Sequence, residues 1–94
     1  MAKSKSSERF SLGKLVMTRG VMNRIPPIEV WYAVVRHSSC DWGDVCRSDW
    51  DLNDAALASD SRLLSTYRIK NGLKLWIITE WDRSVTTVLL PEEY

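Results

Sequence analysis

The chain is poor in most of the features that announce a function. Its 94 residues include one histidine, two cysteines and four glycines. With one His, no phosphate-binding loop and no dinucleotide fingerprint, the familiar enzyme classes find no support in the sequence. An excess of either charge is missing too, since 13 Lys and Arg oppose 12 Asp and Glu for a net charge of +1. A DNA mimic needs carboxylates in large excess, and a strong nonspecific DNA binder needs a basic excess that releases counterions. No apolar run approaches the roughly 20 residues of a membrane span, and the polar opening Met1 to Arg9 leads into no apolar signal-peptide core. These absences predict an intracellular, cytoplasmic protein. In such reducing surroundings Cys40 and Cys46 are expected to be free thiols.

What is present is an ordinary globular balance. Apolar residues make up 45% and charged residues 27%, with five Trp, so the chain should fold. A chain this small hides only roughly 60–65% of its unfolded surface, so one compact core has to carry it. Residues 1–9 read as a flexible tail and residues 10–94 as a single α+β domain.

Phe10 to Thr18 alternates enough for a first strand, weakened by Gly13. Arg19-Gly20 breaks it, and Val21 to Ile25 suits one helical turn ahead of Pro26-Pro27. The next segment contains many Val and Ile, which favour strands. Even so, Ile28, Trp31, Tyr32 and Val35 share one helical face after a proline start, so a helix over 28–37 is predicted. Ser38 to Gly43 is a loop. A second helix is expected from Ser48, as N-cap, to Ser59, with Leu52, Ala55, Ala56 and Trp50 toward the core.

The last third is the clearest. Strands near 62–69, 73–81 and 84–90 are rich in β-branched and aromatic residues and are joined by Lys70-Asn71-Gly72 and Asp82-Arg83, giving a three-stranded antiparallel meander. A three-residue first loop with Gly72 left-handed pairs Ile69 with Leu73, Tyr67 with Leu75 and Arg68 with Lys74; a two-residue loop would mix polar and apolar on each face. Thr86, Val88 and Leu90 then lie beside Thr79, Ile77 and Leu75, which makes one face apolar. The other face carries Trp76, Ile78, Val85, Thr87 and Leu89, with Thr66, Arg68, Lys74 and Glu80 around them. A wholly solvated face does not look like that.

The block Arg62 to Arg68, the run from Gly72 to Tyr94, Asp41-Trp42-Gly43-Asp44 and, loosely, Phe10 to Gly13 resemble a family of short hypothetical, plasmid-related proteins. These are borne on bacterial plasmids and integrative elements, and some carry the label type I restriction subunit M. The resemblance spans about half the chain and implies mobile-element cargo. The restriction label does not carry over, because a DNA methyltransferase needs a far longer chain with a cofactor-binding sheet. Cys40 stands where that family has Gly, which removes any family support for a role of this thiol.

Four constellations could carry chemistry. His37, Cys40 and Cys46 with Asp41 or Asp44 could ligate zinc, but one His-x2-Cys and a lone Cys do not make the paired knuckles of structural sites. A Cys–His nucleophile would need an oxyanion pocket that only Gly43 hints at. The Asp41-Trp42-Gly43-Asp44 loop is either architectural, with Trp42 plugging the core, or an exposed Trp between two carboxylates that binds a partner. Trp76 beside Arg68 and Lys74 could stack bases.

The sequence therefore predicts a non-enzymatic protein-binding accessory protein of a mobile element, without metal or cofactor. Inhibition of host defence, of the anti-restriction or anti-CRISPR type, is its expected role by analogy. Trp76, Ile78, Val85, Leu89, Trp42, Asp41 and Asp44 are the expected partner-binding residues, and a homodimer is one form such binding could take. The alternative is a small nucleic-acid-binding protein using Trp76, Arg68 and Lys74 with the tail cations Lys3, Lys5 and Arg9.

Overall fold

Three short helices precede most of a four-stranded sheet, and each boundary has a local cause. A computed structural model describes residues 9–69 and 72–94; Lys3, Lys5, Lys70 and Asn71 lie outside the described residues. Strand β1 is Lys14–Met17, shorter than the predicted 10–18. Gly13, at φ +64°, ends the extended run where the chain crosses the backbone of Arg83 and Ser84 too closely for a Cβ. Helix α1 spans Arg19–Arg24, and Thr18 caps it by accepting from the Val21 N–H. It starts before the predicted turn at Val21, with Gly20 inside the helix.

Helix α2, Pro27–Ser38, has proline at its first position as expected. Helix α3 is Arg47–Ser59, with Cys46 rather than Ser48 at the N-cap. Its buried residues are Asn53 and Ala56, while Leu52 and Ala55, predicted to face the core, are exposed. Ala56 is buried and Trp50 packs half-buried on the core as expected, but the inward face is turned so that Asn53, and not Leu52 or Ala55, completes it.

Strands β2 (Leu63–Arg68), β3 (Lys74–Thr79) and β4 (Val85–Leu89) form the expected meander, followed by a 3-10 turn at Pro91–Glu93. Tyr67 faces Leu75, Arg68 faces Lys74, Ile77 faces Val88 and Thr79 faces Thr86, as the patterning required. Gly72 is left-handed at φ +87°. The sheet is nevertheless mixed. Its order is β1-β4-β3-β2, with β1 running parallel to β4, so Lys14 lies beside Val85 and Val16 beside Thr87. That pairing joins residues some 70 positions apart in the chain and leaves no mark in any local pattern.

All three helices contribute to the core on the sheet face of Leu75, Ile77 and Val88. α1 supplies Val21 and α2 supplies Val30 and Val34. Ala56 of α3 forms a second cluster with Leu63 and Trp42. Among the described residues no helix is long and apolar enough to cross a membrane.

Candidate functional site

The single histidine sits at the centre of the core. His37 is fully buried, with Nδ1 2.6 Å from Ser65 Oγ and Nε2 2.9 Å from Thr79 Oγ1. The chain of hydroxyls continues from Thr79 to Thr86 at 2.7 Å and ends on the Leu12 carbonyl at 2.7 Å. Thr86 has one proton and gives it to that carbonyl, so it accepts from Thr79, which in turn accepts from His37 Nε2–H. Nδ1 is then the acceptor for the Ser65 hydroxyl. Burial, helped by the charge of Arg83, pushes the imidazole from its ordinary 6.5 down to about 3. The ring is neutral near pH 7, and the stability it adds is full above about pH 6.5 and lost as pH falls toward 3. Both ring nitrogens are engaged, and Ser65, Thr79 and Thr86 are as inaccessible as the ring itself. Ser65 and His37 lie at the distance of a nucleophile and base, but side chains enclose them on every side.

The other proposed ligands disperse. Cys40 is half-buried at φ +68°, and burial pushes its thiol up, away from the reactive thiolate. Cys46 is exposed at the start of α3. Among the described residues no group of three or more His, Cys, Asp or Glu could hold a metal.

The Asp41-Trp42-Gly43-Asp44 loop is a strap along the outer edge of β2. The Thr66 N–H donates to the Trp42 carbonyl at 3.1 Å, and the Asp44 N–H donates to the Thr66 carbonyl at 2.6 Å. Gly43 is the hinge of this strap at φ +80°, pressed so closely on Thr66 that a Cβ would lie 2.0 Å from its carbonyl oxygen. Trp42 is completely buried, stacks on Phe10 and donates its Nε1–H to Asp54 at 3.0 Å. The exposed-anchor reading of Trp42 is therefore corrected: its ring closes the end of the core, as in the architectural alternative. Asp41 is held below the usual carboxylate range, chiefly by its bond from Arg36, whose Nε lies 2.8 Å away; the guanidinium also lies over the Tyr67 ring at 4.7 Å. Asp44 is exposed.

The Trp76 face is partly closed by Tyr94. Trp76 is half-buried and lies against Tyr94, ring centres 5.6 Å apart. The Tyr94 hydroxyl accepts from Arg62 at 3.1 Å, and Arg62 also reaches Glu80 at 3.5 Å. Ile78 and Leu89 are only 6% and 5% exposed, while Val85 is half-buried. Arg68 and Lys74 lie side by side and exposed at the far end of the same face. Of the expected apolar anchors here, only Trp76 and Val85 keep substantial accessible surface.

The large exposed apolar surface lies elsewhere. Ile28, Trp31, Tyr32 and Val35, whose spacing argued for a helix, point to solvent, with Trp31 58% and Tyr32 63% exposed. The core-facing side of α2 is a second stripe: Val30, Ala33, Val34 and His37. A helix apolar on both sides normally has neighbours on both sides. The outward stripe runs into a groove of about 350 Å³ between β1, α1 and α2. Leu15, Met17, Met22, Val30, Trp31 and Val34 line it, and its walls are almost wholly apolar. The sequence carried the signal: between Pro27 and Ser38 only Glu29 and Arg36 are charged, too few for a helix with one wet face.

No family model, curated protein or solved structure matches this chain.

Proposed function

We propose that the chain is a non-enzymatic, protein-binding accessory protein whose docking surface is the outward stripe of α2 and the groove beside it. The observation that carries this reading is the run of Ile28, Trp31, Tyr32 and Val35 in solvent, continuous with an apolar groove. Exposed aromatics beside a preformed apolar depression are where interface energy concentrates. The resemblance of the C-terminal block to plasmid-related proteins supports a mobile-element role, for which a host defence component is one candidate partner and a second copy of the chain another. Trp76, Val85 and Asp44 remain accessible and could extend the contact. The base-stacking alternative loses ground because Trp76 already packs on Tyr94.

The test compares capture of a partner by wild type, Trp31→Ser and Lys74→Ala at low and moderate salt. Capture that survives the rise from roughly 50 to 200 mM salt and is lost in Trp31→Ser is the expected result. Binding that collapses with salt, ignores Trp31→Ser and weakens in Lys74→Ala would overturn it in favour of nucleic acid.

A further inference from the structure

The two edges of the sheet are finished differently, and the unfinished one adjoins the groove. On β1, the N–H groups of Lys14 and Thr18 are used on Ser84 and Val88. Strand alternation therefore aims the N–H and C=O groups of Leu15 and Met17 outward, and nothing among the described residues pairs with them. The Leu15 and Met17 side chains sit on the helix-covered side of the sheet, half in the groove. One surface thus offers an unpaired strand, a depression and a protruding Trp31.

We propose that a second copy of this chain occupies this surface, β1 pairing antiparallel with β1 about a two-fold axis at Val16. The proposal rests on the reading of this surface as a protein-docking site and names its occupant. Several features favour a copy over an unrelated chain. The surface is self-complementary, because a two-fold normal to the sheet keeps both helix layers on one side and brings the Trp31 of each protomer toward the groove of the other. Centring on Val16 satisfies every outward backbone group, with Leu15 and Met17 of one copy exchanging hydrogen bonds with Met17 and Leu15 of the other. The same register sets Lys14 opposite Thr18, so no like charges meet. Finally, the exposed parts of Leu15, Met17, Met22, Ile28, Trp31, Tyr32 and Val35 amount to roughly 750 Å², close to one partner's share of a standard interface. Four residues is also a short edge, suited to one closed pair rather than to indefinite strand addition.

Val16 has its backbone groups turned inward, so in this register it faces its own copy as a non-hydrogen-bonded pair, with Cα atoms about 4.5 Å apart, within disulfide reach. In a background with Cys40→Ser and Cys46→Ser, Val16→Cys should oxidise to a covalent dimer and Lys14→Cys should not. Sedimentation of the native chain should give twice the 10.8 kDa mass. Met17→Pro, which removes only an outward N–H, and Trp31→Ser should each sediment as folded monomers, checked by circular dichroism. A monomeric native chain that still captures another protein in a Trp31-dependent way would overturn the second copy and leave the docking surface standing. A dimer indifferent to both substitutions would place self-association elsewhere and defeat the proposal. A native chain that neither self-associates nor captures another protein would remove the docking reading itself.

Discussion

The outer strands β2 and β1 border the same sheet, yet among the described residues one edge is strapped over at Leu64 and Thr66 and the other is open. Along β2, Leu64 and Thr66 point their backbone groups outward, and each is answered. The Asn53 amide accepts from the Leu64 N–H at 3.1 Å and donates to its carbonyl at 2.7 Å, acting as a one-residue strand. Thr66 is answered by Trp42 and Asp44. Along β1 the equivalent groups of Leu15 and Met17 face outward beside an apolar groove. Exposed edges invite further strands, and a protein that closes one with a buried amide and a glycine-hinged strap has the means to close the other. The difference sets the open edge beside the proposed docking surface and the strapped edge with the scaffold.

Breaking the sealed edge should cost most. Gly43→Ala puts a Cβ against the Thr66 carbonyl at a φ that L-residues resist, and it should destabilise the fold by about 3 kcal/mol in urea unfolding. A loss below about 1 kcal/mol would show that the strap swings aside freely and contributes little to the edge.

Removing the amide should cost less and act more locally. Asn53→Ala leaves both outward groups of Leu64 without their side-chain partner, for an expected loss of about 2 kcal/mol. Hydrogen exchange gives the sharper view. The Leu64 amide should exchange fast in the mutant while Ser65, whose pairing to β3 is untouched, stays protected.

The open edge should tolerate change. Met17→Lys places a charge at an already exposed position and should alter monomer stability by no more than about 0.5 kcal/mol. Its effect should appear in association, as loss of partner or second-copy binding in the sedimentation assay. A large stability loss would mean that Met17 belongs to the core, and the contrast between the edges would disappear.

Where the sequence could be read and where it could not follows the range of the interactions involved. The meander and its register were legible because turn residues at fixed spacing and period-two patterning are local. Tyr67 opposite Leu75 and Thr79 opposite Thr86 could be placed without coordinates. The helix over 27–38 was legible too, but its facing was not. Ile28, Trp31, Tyr32 and Val35 satisfy the helical period as well as Val30, Ala33, Val34 and His37 do, and periodicity cannot say which stripe meets the sheet. Polar residues misled for a related reason. His37 looked like a site residue and Asn53 carried no expectation, yet both are buried because the core supplies hydroxyls to one and strand backbone to the other.

By itself the sequence determined the α+β class, the three antiparallel strands with their register, and the proline-led helix, since each depends on contacts within a few residues or across one tight turn. Only the tertiary structure decided that β1 lies parallel to β4, that α2 turns its aromatic stripe outward, that Trp42 plugs the core and that, among the described residues, the β1 edge of the sheet stays open. Those outcomes depend on which distant surfaces meet, and the free energy of such meetings is set by the shapes and unpaired polar groups of two segments at once, which no window along one chain can contain.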